Sequence, residues 1–342
     1  MTGWLPCTGD VACNKAMEAT NMNAPYSLNL NRRSVLAATG AALFTLTSRS
    51  AQAQEGVTVP WSKGTELPHI KAPPNATDCH HHIYESRFKL DPNATLRPAD
   101  ATIADYRLLQ KRLGTTRNII VQPSTYGIDN TGLVWALGQF GLRTTRGIAV
   151  VNTSVTTAEL KALDKAGVRG IRFNIVTPGG ATSLDMVPAL AKRVADLGWH
   201  IQLNVDGNQI VANKAVWDAV PCPVVFDHLG HLPQPEGASH PAFRVVTDLM
   251  RRGKGWVKLT GLYNDSKIGA PTYADSAALA AAYVAADARQ VVWGSDWPHP
   301  TEAPDNKPDD ALLFDIFEKW APDKKLQKQI LVDNPARLYH FS

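Results

Sequence analysis

The chain of 342 residues carries 35 lysine and arginine residues against 31 aspartate and glutamate residues, a formal net charge of +4. This small basic excess gives no case for binding nucleic acid or an anionic membrane surface. Of the four cysteines, only Cys79 and Cys222 lie beyond residue 53, and two are too few for a disulfide framework. We expect a globular protein whose partner is a small molecule, and the composition leaves its oligomeric state open.

The N-terminal segment has the pattern of an export signal. The pair Arg32-Arg33 precedes an apolar run from Val35 to Leu46, and the small residues Ala51-Gln52-Ala53 follow. The arginine pair resembles the twin-arginine type of signal, and the run is shorter than the roughly 20 residues that span a bilayer. We therefore expect cleavage of residues 1–53 and export to the periplasm, with no membrane contact afterwards. A start at Met22 is also consistent with the sequence.

After a proline-rich linker or arm over residues 54–74, short apolar runs alternate with amphipathic runs. The apolar runs predict strands near 76–80, 117–122, 146–151, 168–174, 200–205, 224–227, 256–260 and 291–293. The amphipathic runs predict helices near 104–113, 131–141, 157–166, 186–197, 208–219, 241–252, 273–286 and 309–320. A short last helix over 323–331 would end at Asn334-Pro335. Eight strand–helix pairs in one domain-length chain predict an α/β protein, a single-domain (β/α)8 TIM barrel over residues 75–342.

Polar residues lie at the ends of three of these predicted strands. In Asp78-Cys79-His80-His81-His82, the side chains of His80 and His82 share one face of a strand, and His81 points to the other. His228 follows the sixth strand and Asp296 follows the eighth. Barrel enzymes assemble their active sites at the carboxyl ends of the strands. We therefore expect the three imidazoles and the carboxylate to meet in one site.

The alternation of polar and apolar residues places further polar groups inside the barrel. Gln202 and Asn204 share the inward face of the fifth strand, and Arg172 and Asn174 share that of the fourth. A buried unpaired charge is costly. Arg172 therefore requires a partner carboxylate or an anionic ligand.

Four more residues are candidates for substrate contacts. Ser124 and Tyr126 follow the second strand, although both also fit simple turn chemistry near Pro123. Lys258 lies on the seventh strand and Tyr263 follows it. Lys258 fits a structural ion pair equally well.

The motifs Asp-Cys-His-His-His, Phe-Asp-His-Leu-Gly and Gly-Ser-Asp-Trp-Pro-His resemble those of the amidohydrolase superfamily. The resemblance covers residues 75–342 and is to the amidohydrolase-related (amidohydrolase 2) branch, which contains 2-pyrone-4,6-dicarboxylate hydrolase and D-galactarolactone isomerase. It implies a distorted TIM barrel that hydrolyses a ring ester. Asp296 would be the general base with a low pKa, and His80, His82 and His228 would orient and polarise the water or the carbonyl.

The resemblance also bears on metal binding. Binuclear members of the superfamily have a bridging lysine on strand four, but Gly170–Asn174 contains none, and no histidine ends strand five here. A two-metal site is therefore not expected. One divalent ion, Zn²⁺ by preference, held by His80, His82, His228 and Asp296 is one reading; catalysis without a required metal is the other.

Two differences from these relatives' patterns bear on the substrate and on the reaction. Arg172 resembles a carboxylate-binding arginine of the pyrone hydrolase. The partner arginine expected six residues later is absent, and Pro178-Gly179-Gly180 stands there instead, which argues against a flat pyrone diacid. Asp78 and Asp296, which the isomerase type lacks, favour hydrolysis. We therefore expect a hydrolase of a small carboxylated lactone of pyrone, muconolactone or sugar-acid type. The alternatives are a lactone isomerase, a metal-dependent decarboxylase and, least favoured, a non-enzymatic sugar-acid-binding protein.

Overall fold

The computed structural model describes residues 56–176 and 181–342. The predicted signal segment and the Pro178-Gly179-Gly180 stretch lie outside the described residues.

Eight parallel strands form one sheet in which each strand pairs with the next along the chain, in the order β1 to β8. Their bounds lie within two residues of the predicted ones: β1 Thr77–His81, β2 Arg117–Val121, β3 Thr145–Ala149, β4 Val168–Asn174, β5 His200–Asn204, β6 Val224–Phe226, β7 Gly255–Leu259 and β8 Val291–Trp293. The register places Arg172 beside Gln202 and Asn174 beside Asn204. The predicted inward face of β4 and β5 is therefore a continuous polar wall.

The segment after β8 closes the barrel against β1. The backbone N–H of Asp296 donates to the carbonyl of His80 at 2.7 Å, and that of His82 donates to the carbonyl of Trp297 at 2.9 Å. Gly294 permits this approach, because a Cβ atom there would lie 2.7 Å from the backbone nitrogen of His80. The sheet is thus a near-closed barrel, as predicted.

Helices follow the strands as α1 Ile103–Leu113, α2 Thr131–Phe140, α3 Thr157–Lys165, α4 Val187–Ala195, α5 Gly207–Ala212, α6 Lys214–Ala219, α7 Pro241–Arg251, α8 Leu262–Asp265, α9 Ala274–Asp287, α10 Asp310–Ile316, α11 Lys324–Lys328 and α12 Asn334–Tyr339. Local capping sets several of their starts: Thr102 and Asp105 form a capping box at α1, and Thr156 and Glu159 form one at α3. No helix in the described part of the chain has the length and apolar character needed to cross a bilayer.

Two helix predictions were wrong. The predicted helix over 208–219 is two helices, α5 and α6, because the backbone leaves the helical region at Asn213. The predicted stop at Asn334-Pro335 is instead the start of α12, since proline is tolerated in the first turn of a helix.

Apolar residues pack against both faces of the sheet. The larger cluster lies between the sheet and the helices, and the smaller cluster fills the barrel interior, where Leu338, Tyr339 and Phe341 join residues of the strands. Residues 56–74 lie against the outside: the guanidinium of Arg112 donates to the carbonyls of Glu66 and Lys63, and the indole of Trp297 donates to the carbonyl of Pro60. The apolar interior leaves the opposite, carboxyl ends of the strands for polar groups.

Candidate active site

The predicted convergence of three imidazoles and one carboxylate is confirmed. The Oδ1 atom of Asp296 lies 3.6 Å from Nε2 of His80 and 3.7 Å from Nε2 of His82. Its Oδ2 atom lies 3.8 Å from Nδ1 of His228. The rings of His80 and His82 are 5.0 Å apart, and those of His80 and His228 are 4.8 Å apart. A single water molecule placed among these groups would reach several of them at once.

The backbone that carries these side chains is held tightly. Asp78 accepts hydrogen bonds from the Ser295 hydroxyl at 2.6 Å, the Ser295 N–H at 2.9 Å and the Tyr106 hydroxyl at 3.0 Å. These bonds join β1 to the residue that precedes Asp296. Asp296 itself has a φ of 65° and His228 a φ of 47°, in the left-handed region that non-glycine residues rarely occupy. Such conformations persist only where the surrounding structure enforces them, which is common in active sites.

Burial decides the charge state of the site. It lowers the pKa of His82 to about 3, and it holds the pKa values of His80 and His228 well below the usual value. All three rings are therefore neutral at physiological pH. Nδ1 of His82 donates to the carbonyl of Val121 at 2.8 Å, so its Nε2 presents a lone pair toward Asp296.

The expected low pKa of Asp296 was wrong. Burial raises the pKa of this carboxyl group from 3.8 to about 6, against the lowering effects of the Tyr263 hydrogen bond and nearby positive charge. The expectation assumed charged or metal-bound neighbours, whereas the neutral imidazoles around Asp296 offset little of the lost hydration. Asp296 is still ionised at neutral pH, and its raised pKa makes it a better proton acceptor.

Asp227 is the partner carboxylate that Arg172 requires. Its Oδ2 atom accepts from Nε of Arg172 at 2.9 Å and from Gln202 at 3.0 Å, and its Oδ1 atom lies 3.7 Å from the Lys258 ammonium and 3.4 Å from Nδ1 of His80. Burial opposes ionisation of Asp227, but its contact with the His80 ring and the positive charges of Lys258 and Arg172 outweigh it and hold its pKa well below 3.8. Asp227 thus anchors both cations and orients His80 from beneath.

A cavity of about 110 Å³ opens above this cluster. Tyr84 and His231, which were not predicted as site residues, line this cavity. Seven predicted site residues also line it: His82, Ser124, Arg172, Asn174, Asn204, His228 and Asp296. The cavity is smaller than the 300–1,000 Å³ typical of drug-sized ligands, which favours a small substrate. A larger groove of about 520 Å³ between α2 and α3 contains one ionisable side chain, Glu159, so size alone does not identify the site.

Three predicted substrate contacts do not line this cavity. Lys258 is fully buried, and its ammonium donates to the carbonyl of Cys79 at 2.8 Å and lies 3.7 Å from Oδ1 of Asp227, the geometry of a structural ion pair. The Tyr126 hydroxyl bonds the backbone of Glu85 and supports the loop after β1. The Tyr263 hydroxyl donates to Asp296 at 2.6 Å instead of facing a ligand.

Four further polar residues of this region had no role in the sequence interpretation: His231, Asp265, His299 and Asp310. His231 bridges Asn204 at 2.8 Å and Asp265 at 2.9 Å, and His299 bridges Tyr263 at 2.9 Å and Asp310 at 3.1 Å. His231 and His299 each lie three residues after a predicted site residue. That spacing is the one signal that pointed to them.

The donor set fits one divalent ion. Nitrogen atoms of His80 and His82 and an oxygen of Asp296 all lie within 4.8 Å of one another. Nε2 of His80 and Nδ1 of His228 are buried without a hydrogen-bond partner among the described residues. The separations of 3.6 and 3.7 Å from Asp296 are close to the distance of about 3.3 Å between two ligands of a tetrahedral zinc ion. A water molecule would satisfy the same atoms.

Comparison with known proteins agrees with this geometry. The sequence profile of the amidohydrolases matches residues 77–341. The chain belongs to the amidohydrolase family. It is therefore an enzyme, and the matched region contains all of the predicted site residues.

Three relatives are similar over most of the chain. A 2-pyrone-4,6-dicarboxylate hydrolase from Comamonas testosteroni is 35% identical over 82% of this chain and 94% of its own length. A 4-sulfomuconolactone hydrolase from Rhizobium radiobacter is 32% identical over 78% of this chain and 90% of its own length. A D-galactarolactone isomerase from Agrobacterium fabrum is 29% identical over 80% of this chain and 94% of its own length.

Proposed function

We propose that this enzyme hydrolyses the ring ester of a small carboxylated lactone. The observation that carries the proposal is the Asp296 carboxylate, with a pKa raised to about 6, surrounded by three neutral imidazoles at the floor of a small cavity. A general base is most effective when its pKa lies near the working pH. Simple binding of a ligand requires no such group.

In the proposed reaction, a water molecule lies between Oδ1 of Asp296 and Nε2 of His82. The lone pair of His82 orients the water, and Asp296 takes its proton while the water oxygen forms a bond to the ring carbonyl carbon. The oxyanion is stabilised by an imidazole N–H, which we assign to His228 because it lines the cavity and its Nδ1 has no hydrogen-bond partner among the described residues. The bond from carbon to the ring oxygen then breaks, Asp296 returns the proton to the leaving oxygen, and the product is a hydroxy acid.

Arg172 supports a carboxylated substrate. Its Nε atom bonds Asp227, and no described residue accepts a hydrogen bond from its two terminal nitrogens. Arg172 itself lines the cavity, together with Asn174 and Asn204. Each of the three relatives is named for a lactone substrate, and two of the named substrates bear acidic groups, a dicarboxylate and a sulfonate. A planar cation is well suited to pairing with a carboxylate.

We propose catalysis by Asp296 and the imidazoles without a required metal. His80, His82 and Asp296 would hold one divalent ion, and His228 lies beside them with Nδ1 3.8 Å from Asp296; Zn²⁺ is preferred by such a ligand set. When bound, such an ion would polarise the ester carbonyl and acidify water.

A lactone panel tests the proposed function. Acid release is measured for carboxylated and neutral lactones, with and without a chelator, for the wild type and for Asp296→Asn. Turnover of a carboxylated lactone that Asp296→Asn abolishes supports the proposal. Equal turnover by the variant would refute the role of the base. The isomerase relative makes rearrangement the second candidate, in which product would form without release of acid.

We also propose export to the periplasm, supported by the Arg32-Arg33 pair and the apolar run that follows. Fractionation of cells that express the wild type or the double change Arg32→Lys, Arg33→Lys tests this. Periplasmic enzyme only in the wild type is expected, and cytoplasmic wild-type enzyme would contradict it.

A further inference from the structure

A row of polar groups extends from Asp296 away from the cavity and into the protein. The Tyr263 hydroxyl lies 2.6 Å from Oδ2 of Asp296 and 2.9 Å from Nδ1 of His299. Nε2 of His299 lies 3.1 Å from Oδ2 of Asp310. His299 and Asp310 are completely buried. Tyr263, His299 and Asp310 do not contact the water or the substrate in the proposed reaction, so their contribution must pass through Asp296.

Proton counting fixes the direction of the first two bonds. An ionised carboxylate only accepts, so the single hydroxyl proton of Tyr263 points to Asp296. The hydroxyl oxygen then accepts from the Nδ1–H of His299. On the other side, Nε2 of His299 and the carboxyl group of Asp310 share one more proton, carried by either partner, and this bond holds the imidazole ring. The Lys307 ammonium donates to the carbonyl of His299 at 2.6 Å. The tyrosine hydroxyl is therefore oriented by a fully bonded histidine.

We propose that Tyr263 is a positioning residue, held by His299 and Asp310, that fixes the plane of the Asp296 carboxylate. The terminal torsion of aspartate is broad, so the side chain alone does not define where its two oxygens lie. The bond to Oδ2 leaves Oδ1 facing His80 and His82 at 3.6 and 3.7 Å, where the proposed water is activated. This inference rests on the proposed function and assigns the part of the site that sets its geometry.

Tyr263→Phe removes the hydroxyl and keeps the ring. A hydrogen bond to a charged group is typically worth roughly 10- to 100-fold, so we expect kcat to fall by about that factor. KM should change little, because the hydroxyl does not face the cavity. Tyr339→Phe is the control. This tyrosine is more deeply buried than Tyr263, and its hydroxyl has no hydrogen-bond partner among the described residues. Its kcat should equal that of the wild type.

Changes at His299 separate positioning from general stability. His299→Leu removes the donor to Tyr263 and should lower kcat as Tyr263→Phe does. His299→Asn places an amide N–H where Nδ1 was and should restore much of the loss. In the double variant with Tyr263→Phe, His299→Leu should cost nothing further, because its effect acts through the hydroxyl. Independent losses that multiply in the double variant would overturn the proposal, as would wild-type kcat in Tyr263→Phe.

A crystal structure of Tyr263→Phe decides the point without turnover. A rotated Asp296 carboxylate supports positioning, and a carboxylate in the wild-type orientation overturns it. If the wild type opens no lactone at all, the proposed function fails, and the orientation of Asp296 in crystal structures of the wild type and the variant still tests this inference.

Discussion

Replacing Asp296 with asparagine is expected to abolish hydrolysis and also to stabilise the fold. Burial raises the pKa of Asp296 from 3.8 to about 6, so the folded protein binds this proton more tightly than the unfolded chain does. The ionised side chain therefore costs stability, and the cost grows as pH rises through the window between 3.8 and about 6. A pKa rise of this size corresponds to about 3 kcal/mol at pH 8 and about half of that at pH 5.

Asparagine has nearly the same shape, keeps an oxygen that accepts from Tyr263, and carries no charge. Urea unfolding of the chelated wild type and Asp296→Asn at pH 5 and pH 8 measures the difference in the free energy of unfolding. The variant should be more stable at both values and more so at pH 8. Asp305→Asn, a change at an exposed aspartate, is the control and should have no such effect. A less stable variant at pH 8, or an equal difference at both pH values, would refute the reasoning.

Four further outcomes are expected. Arg172→Gln should raise KM for a carboxylated lactone by about 10- to 100-fold, the value of a charge-assisted hydrogen bond, and an unchanged KM in initial-rate assays would exclude Arg172 from substrate binding. Lys258→Met should lower the free energy of unfolding by about 3–5 kcal/mol, because it leaves the buried Asp227 short of a partner; a loss below about 1 kcal/mol in urea would contradict the ion-pair role. For the chelated enzyme, kcat/KM should fall as pH decreases through about 6, where Asp296 gains its proton, and a flat profile between pH 5 and 7 would argue against the base. Dialysis against a chelator should leave most of the activity, whereas loss that Zn²⁺ alone restores would make the metal essential.

Local sequence patterns were sufficient to predict the barrel. Apolar runs located all eight strands, and alternation within β4 and β5 correctly turned Arg172 and Asn204 inward. The convergence of His80, His82, His228 and Asp296 could be predicted because polar residues at strand ends meet in this architecture. Not every residue that was predicted near those ends as a substrate contact lines the cavity. Lys258 lies too deep in the barrel to reach the cavity, which a sequence pattern does not reveal.

The missing parts depend on packing between distant elements. Asp310 reaches His299 because α10 lies against the loop after β8, and no spacing rule joins them. Asp227 directly precedes His228 and was not singled out in the sequence. The buried charge of Arg172 predicted a partner carboxylate or an anionic ligand but did not identify Asp227. The pKa of Asp296 required knowing that burial keeps the surrounding histidines neutral. Burial depth and protonation are properties of the folded interior.

Hydrolysis in oxygen-18 water is the most direct test of whether the Asp296 carboxylate activates water for attack on the ring carbonyl. If it does, the wild type should place one oxygen-18 atom in the new carboxylate of the opened lactone, and Asp296→Asn should form no labelled product. Mass spectrometry of the product distinguishes the outcomes. Conversion of the lactone to a product without oxygen-18 would contradict hydrolysis and indicate rearrangement.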